Sequence, residues 1–263
     1  MDPRLRRTEV KQAVDVARVA QRNWDLDKQI PAEDLETLIY AAKNSPKKQM
    51  ETHFSLHVFT HKEKIREIYD QTKKFSVYPV TDVSPENEDD WKPPENMFAD
   101  IDGNFYQDDH FSVKNSQILA NAMFVYCEDK RSVRGGTHFM AKVDGASPNV
   151  KSLYEEQIDF SIGISVGILL NSAAMMGYKT GICSALEDDE IAHLLPLDPD
   201  GSMQNPKLLI GIGYDNPGVD RTLHQETMNK DLPEDRRQGD DDALFKFPTF
   251  EGITDVYING EKQ

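Results

Sequence analysis

The stretch Phe160-Ser-Ile-Gly-Ile-Ser-Val-Gly-Ile-Leu-Leu-Asn-Ser-Ala-Ala-Met-Met-Gly-Tyr178 runs for nineteen residues without a charge, in a chain whose net charge is −16. Coiled as a helix it would be ~28 Å long, close to the thickness of a bilayer's hydrocarbon core. Three features argue against a membrane span. Ser161, Ser165, Asn171 and Ser172 fall on several faces, Glu155, Glu156 and Asp159 crowd the start, and no basic cluster flanks the segment, as orientation in a membrane ordinarily requires. Gly163 and Gly167 stand four apart on one face, where they let a second backbone approach closely. A helix that is apolar all round has to be covered by something. The stretch is therefore read as the buried central helix of a soluble protein, lying at a subunit interface.

Composition supports that reading. A chain of 263 residues with 38% apolar side chains can bury one substantial core. A mean hydropathy of −0.62 and a pI near 4.8 describe an acidic, soluble surface that repels nucleic acid and anionic lipid. Met1 to Arg7 holds no apolar leader, and Cys127 and Cys183 make no disulfide framework, so the expected location is a reducing cytoplasm. The expected partners exclude nucleic acid and membrane. Charge is unevenly spread: residues 1–50 carry ten Lys/Arg against eight Asp/Glu, a net of +2, which leaves −18 for the rest. Positive charge gathered in one segment of an acidic protein suits a small anion, and solvated helix faces account for it equally well.

Reading along the chain, Thr8 to Asn23 has helical spacing, with Arg18 and Arg22 four apart on one face and Trp24 just after. Pro31, Glu33 and Asp34 open a second helix that stops at Asn44-Ser45-Pro46. Phe54 to Thr60 alternates as a strand, Lys62 to Lys74 reads as a helix with Ile65, Ile68 and Tyr69 inward, and Ala122 to Cys127 reads as a buried strand. Ser184-Ala-Leu-Glu187 has the form of a capping box opening a short helix before Pro196. Lys207 to Gly213 is a third strand and Thr254 to Ile258 a fourth. With no internal repeat and no Gly/Ser linker, the expectation is a single α+β domain over residues 1–263.

Two patterns carry no function. Gly211-Ile-Gly213 begins like a dinucleotide fingerprint, but Asn216 and Pro217 follow where a glycine and an apolar helix belong. His53, His57 and His61 have the spacing of zinc ligands on a helix, yet the segment alternates as a strand, which sets residues four apart at ~13 Å. No metal site is assigned.

The order of the pieces resembles the nitroreductase-like flavoproteins. Arg18-x-x-x-Arg22-x-Trp24, the Pro31 helix ending at Ala41-Ala42-Lys43-Asn44-Ser45-Pro46, and the Phe54 strand are similar to that family's opening. The uncharged helix running into Gly177-Tyr-Lys-Thr-Gly181 resembles its central helix and flavin-facing loop. Leu209-Ile-Gly-Ile-Gly-Tyr214 followed by Arg221 resembles its last core strand and a phosphate-contacting basic residue. The likeness covers residues 10–70 and 115–225. It implies a central mixed β-sheet flanked by helices, with a buried central helix, in an intertwined homodimer that seats FMN at its interface.

The resemblance also implies where the cofactor sits. Arg18, Ala20 and Arg22 would meet the phosphate, a dianion suited to forked guanidinium donors. Pro46, Lys47, Lys48 and Met50 would form a loop beside the flavin, with a lysine stabilising the reduced ring. Thr180, Gly181 and Ile182 would offer backbone N–H groups to N5 or the ring edge, and Arg221 would close the site. Ala20 stands where the family commonly has serine, and Pro46-Lys47-Lys48 with Met50 replaces a Pro-Ser-Ser loop with a downstream Asn, so two hydroxyls are exchanged for charge.

Residues 75–115 mix aromatics (Tyr78, Trp91, Phe98, Phe105, Tyr106, Phe111) with acids, and are expected to form either a lid over the flavin or an acidic excursion. Residues 229–263 carry Phe245, Phe247, Phe250 and Tyr257, and the resemblance implies that they wrap the partner subunit. The activity implied is FMN-dependent oxidoreduction. NAD(P)H gives hydride to the flavin and leaves, and a small electron-poor acceptor such as a nitroaromatic or quinone then takes the electrons. The flavin carries the chemistry, so no catalytic side chain is assigned. The alternatives are a specialised relative (a reductive dehalogenase or flavin-fragmenting enzyme) and a non-catalytic flavin-binding or interaction protein.

Overall fold

Alternating side chains of two central strands face two different cores, and this fixes the layering. The computed structural model describes residues 3–46, 53–73, 75–77, 97–99, 105–107, 111–129, 150–198, 201–219, 257–258 and 261–262. Its helices are α1 (Pro3–Ala17), α2 (Ala32–Lys43), α3 (Lys62–Asp70), α4 (Val150–Met175) and α5 (Asp188–Leu194). Its strands are β1 (Phe54–Phe59), β2 (Phe75–Val77), β3 (Met97–Ala99), β4 (Phe105–Gln107), β5 (Phe111–Val113), β6 (Ala122–Glu128), β7 (Lys179–Cys183), β8 (Asn205–Gly213), β9 (Tyr257–Ile258) and β10 (Glu261–Lys262).

The main sheet has the order β1-β6-β8-β7, and every pairing in it is antiparallel. The mixed sheet expected from the sequence is thereby corrected for the described residues. On β6, Ala122, Phe124 and Tyr126 point into one core with Leu38 and Ala42 of α2 and Ile158, Ile162, Val166, Leu169 and Ala173 of α4. Met123, Val125 and Cys127 point the other way, toward Ile65, Ile68 and Tyr69 of α3 and Ile191 of α5. A period of two thus makes a three-layer arrangement, with α2 and α4 on one face and α3, α5 and the 3-10 turn Ser116–Ile118 on the other.

The long helix begins at Val150, ten residues before the uncharged stretch, and ends in a Schellman motif. Gly177 adopts φ +88°, the Tyr178 N–H reaches Ala173 O at 2.9 Å, and the Gly177 N–H reaches Ala174 O at 3.1 Å. Its buried serines are satisfied. Ser165 Oγ donates to Ala42 O at 2.8 Å and lies 3.0 Å from Tyr126 Oη, while Ser161 Oγ lies 3.0 Å from His53 Nδ1.

The opposite face of α4 is left uncovered by the described residues of its own chain. Phe160, Ile164 and Met175 are 57%, 44% and 61% exposed, and a Cβ placed at Gly163 or Gly167 would meet nothing within 4 Å among the described residues. Ile158–Met175 is long and apolar enough to cross a membrane by length and composition, with 44% of the window buried.

Local signals explain most boundaries. α2 follows Pro31, carries Glu33 and Asp34 in its first turn, and stops where Asn44 Nδ2 donates to Tyr40 O at 2.9 Å. α3 buries Ile65, Ile68 and Tyr69 as its spacing predicts and ends at Asp70. The capping box at Ser184 does not form: α5 starts at Asp188 with Glu187 at its N-cap. Residues 185–187 are diverted into extended contacts, with Lys73 N–H donating to Ala185 O at 2.9 Å and a Thr72–Leu186 bridge alongside.

Within residues 75–115, β2 pairs with β5 and β3 with β4, both antiparallel, so one short ribbon encloses another in the chain. The aromatic side chains expected to form a lid lie outside the described residues. So does most of the C-terminal extension, apart from the β9–β10 pair.

Candidate functional site

Helix α1 ends at Ala17, so Arg18 and Arg22 are not on adjacent helical turns. The cause is a non-local bond. The Gln21 N–H donates to Thr180 O on β7 at 2.8 Å, and an amide bonded to a sheet edge is lost to the helix. Gln21 is buried, and its side-chain Oε1 accepts from Arg22 N at 3.0 Å and Asn23 N at 3.4 Å. Beyond it, Trp24 bridges Asp215, the Asp25 N–H reaches Tyr214 O at 3.0 Å, and the Asn216 N–H reaches Asn23 O at 3.1 Å. Residues 21–25 therefore run as an extended tape along the ends of β7 and β8.

This tape unites two groups of expected site residues. Through Gln21 it brings the backbone between Ala20 and Arg22 against Thr180, the neighbour of Gly181 and Ile182, while α1 packs along α4. Arg18 is half exposed and pairs with Asp15 at 3.4 Å, while Ala20 and Arg22 are half-buried. Pro46 is exposed at the end of α2. Next to it Ser45 Oγ is buried and finds no hydrogen-bond partner among the described residues. Lys47, Lys48, Met50 and Arg221 lie outside the described residues.

Thr180, Gly181 and Ile182 belong to strand β7 rather than to a loop. The Ile182 N–H is already engaged, donating to Gln117 Oε1 at 2.9 Å, and Ile182 O accepts from Asn115 Nδ2 at 2.9 Å. Thr180 and Ile182 thus turn their backbone groups away from β8, and strand alternation turns the Gly181 amide toward it. Gly181 is needed for close approach, but to this chain itself: a Cβ there would lie 2.4 Å from Gln117 O. At Gly211 it would lie 2.2 Å from the same oxygen, and at Gly213 1.9 Å from Asn121 Oδ1. Three glycines on two strands make the trough in which residues 116–121 lie.

Sequence reasoning named Trp24 but missed Ser116 and Asn121, which with it hold this corner together. Trp24 Nε1 donates to Ser116 O at 3.0 Å, and Asn121 Nδ2 donates to Asp25 O and Lys28 O at 2.8 Å each. Asn121 Oδ1 accepts from Tyr214 N at 3.0 Å. The available signal was a run of Asn115, Ser116, Gln117 and Asn121 directly before a wholly apolar strand, since such carboxamides serve backbone groups that no strand can reach.

A second polar knot sits at the start of β7. Tyr178 Oη donates to Asp34 Oδ2 and lies 3.5 Å from Tyr214 Oη, with the two rings edge to face at 5.2 Å. Burial, then the Asp34 carboxylate, raises the Tyr178 pKa, so this phenol stays protonated and acts as a donor. Lys28 Nζ lies 5.2 Å from the Tyr214 ring centroid and 3.0 Å from Asp25. Their hydrogen bond lowers the Asp25 pKa and raises that of Lys28.

The donor set suits the phosphate end of a mononucleotide better than its ring. Two arginines lie within five residues on the segment fastened to the β7 edge through Gln21, and the hydroxyl of Ser45 is orphaned just before Pro46. The Ile182 amide, in contrast, is spent on Gln117. Among the described residues no group of three or more His, Cys, Asp or Glu side chains is placed to hold a metal.

The Nitroreductase family model matches residues 16–214. No curated protein matches the sequence. Among solved structures, the chain is similar to NfrA2 of B. megaterium, at 14% identity and a TM-score of 0.51, covering 83% of this chain and 72% of that one. It is similar to nitroreductase A of Vibrio parahaemolyticus at 15% identity and 0.51, covering 83% and 73%. A Staphylococcus epidermidis protein described as a candidate NAD(P)H:FMN oxidoreductase aligns at 14% identity and 0.52, covering 86% and 92%.

Proposed function

Because the chain belongs to the nitroreductase family, we propose that it is an FMN-dependent oxidoreductase that draws electrons from NAD(P)H and delivers them to a small electron-poor acceptor. The observation that carries this reading is the bond from Gln21 N–H to Thr180 O, which fastens the Arg18–Arg22 segment to the β7 edge. When bound, FMN would supply two-electron hydride chemistry.

The chain's own groups bind and orient. Arg22, half-buried, grips the phosphate with paired N–H donors, and Arg18 adds charge from the rim. Lys47 or Lys48 would supply positive charge to the reduced ring, with Pro46 and Met50 in the same segment, and Arg221 would add charge at the phosphate end. Tyr178 keeps its proton and fixes the angle between α2 and β7 through Asp34. No side chain is assigned a proton-transfer role.

A second copy of the chain covers the open face of α4. Support comes from the exposed apolar row Phe160, Ile164 and Met175, with Val10 and Val14 of α1 nearby, and from the open space over Gly163 and Gly167. The unbridged, buried Cys127 and Cys183 are in keeping with a cytoplasmic chain.

The test is optical. Purified protein is expected to be yellow and to bleach with NADH or NADPH under nitrogen. Yellow protein that no nicotinamide bleaches would favour the specialised relative or a non-catalytic flavin binder, the former supported by the β2–β5 and β3–β4 ribbons and by Ala20, Lys47 and Lys48 standing where the family has other residues. Colourless protein that ignores added FMN would leave only an interaction role.

A further inference from the structure

Among the described residues β7 is an edge strand, and the outward N–H and C=O of an edge residue ordinarily wait for another strand. At Ile182 both are taken by carboxamide side chains. Gln117 Oε1 accepts the N–H at 2.9 Å, Asn115 Nδ2 donates to the C=O at 2.9 Å, and Asn115 Oδ1 accepts from Gln117 N at 3.1 Å. Two side chains two residues apart thus supply the donor and acceptor that a neighbouring strand would have offered. Gln117 cannot drift, because its carbonyl rests against Gly181 and Gly211.

The clamp directly follows β5, with Lys114 between. The partner strand, β2, follows Gln71–Lys73, and these residues are bonded a little further along the same run. Lys73 N–H reaches Ala185 O at 2.9 Å, Thr72 bridges Leu186, and Glu187 N–H reaches Gln71 O at 3.1 Å. Lys114 Nζ donates to Asp70 O and lies 6.0 Å from the Tyr69 ring centroid, which ties the two roots to each other. Both ends of the β2–β5 ribbon are therefore fastened to one stretch, Ile182–Glu187, which continues out of the strand that borders the Arg18–Arg22 corner.

We propose that Asn115 and Gln117 are positioning residues that couple the β2–β5 ribbon to the cofactor-binding edge, so that seating FMN and ordering the ribbon are linked. The coupling rests on the flavin reading above. Linkage is reciprocal: whatever steadies the ribbon tightens FMN binding, and FMN steadies the ribbon by the same factor.

The experiment compares wild type with Gln117→Leu, which deletes the acceptor, Gln117→Glu, which keeps one, and Asn115→Ala. In flavin-free protein, Gln117→Leu is expected to speed amide exchange at Ile182 by about tenfold, from one lost hydrogen bond, and Gln117→Glu to restore it within about twofold. FMN is expected to slow exchange at residues 111–113 in wild type and in Gln117→Glu, and not in Gln117→Leu or Asn115→Ala. FMN affinity should fall about tenfold in the last two, with an altered visible flavin spectrum. Unchanged Ile182 exchange in Gln117→Leu overturns the clamp. Ribbon protection by FMN that survives in Gln117→Leu overturns the coupling alone. Wild-type protein that binds no FMN overturns the cofactor reading and the coupling with it.

Discussion

Replacing Gly211 by alanine should unsettle the corner on which both the fold and the site depend. The new Cβ would lie 2.2 Å from Gln117 O, 3.0 Å from Ile118 Cα and 3.1 Å from Ala120 Cβ. The first neighbour is backbone, and the same residue is tied to the sheet by the bond from Ile182 N to Gln117 Oε1 at 2.9 Å. Restoring ordinary contact requires the loop to retreat by about 1 Å, which lengthens that bond beyond useful range. Overpacking costs about 1–3 kcal/mol and the lost hydrogen bond about 1, so the total is roughly 2–4 kcal/mol. For a chain of this size that lowers Tm by roughly 5–15 °C. Differential scanning calorimetry of the flavin-free protein reads it directly. Gly181→Ala meets the same carbonyl at 2.4 Å, so the double variant should cost about 1 kcal/mol less than the sum of the two. A Tm for Gly211→Ala within 2 °C of wild type, or strict additivity of the pair, would refute the trough.

Other substitutions probe other layers. Gly163→Ala with Gly167→Ala meets no atom of the described residues and removes two helix-weakening glycines, worth about 1 kcal/mol each in an isolated chain. If a second copy packs there, the same change should shift sedimentation from dimer toward monomer, and an unaltered dimer would place the interface elsewhere. Trp24→Phe deletes the donor to Ser116 O from a buried site and should cost about 1–3 kcal/mol in urea unfolding, whereas a smaller loss would show the tape to be held by its backbone alone. Alkali should destabilise the fold. Burial, helped by Asp198, pushes the Cys127 thiol from 9.0 up to about 12, and burial pushes Tyr126 from 10.0 up to about 12. The folded chain keeps protons that the unfolded chain releases, so stability is full below pH 9 and falls from there to pH 12, by about 1.4 kcal/mol per pH unit for each group in its window. A flat urea midpoint between pH 8.5 and 11 would contradict that.

Where local chemistry decides an element, the sequence showed it. Pro31 and Asn44 bracket α2, the spacing of Ile65, Ile68 and Tyr69 marks the inner face of α3, and the apolar runs at Ala122 and Lys207 became β6 and β8. Elements decided by partners distant in sequence were misread. Arg18 to Asn23 continues a helical pattern, but Thr180, some 160 residues away, takes the Gln21 amide. Lys179–Cys183 has no alternation to announce a strand because Gly181 must stay bare against Gln117. Ser184 and Glu187 have the right spacing for a cap, but Gln71 and Lys73 claim that stretch first. The site was legible in the same uneven way. The segment between Arg18 and Arg22 and the β7 edge were named, and Gln21 N–H joins them at Thr180 O, while the carboxamides at this corner were not named, since a single Asn or Gln carries no periodic signal.

The claim on which the account turns is that the Arg18–Arg22 segment recognises the phosphate of FMN. Riboflavin carries the same ring without that phosphate, so the ratio of FMN to riboflavin affinity isolates the contact. Fluorescence titration should show a marked preference for FMN in wild type. Arg22→Ala should reduce that preference about 10- to 100-fold, as expected for charge-assisted hydrogen bonds. Arg18→Ala should reduce it by less than about tenfold, because Arg18 is half exposed and shared with Asp15. Riboflavin affinity should be unchanged in both. An FMN preference that survives in Arg22→Ala, or an equal loss of both ligands, would contradict the account.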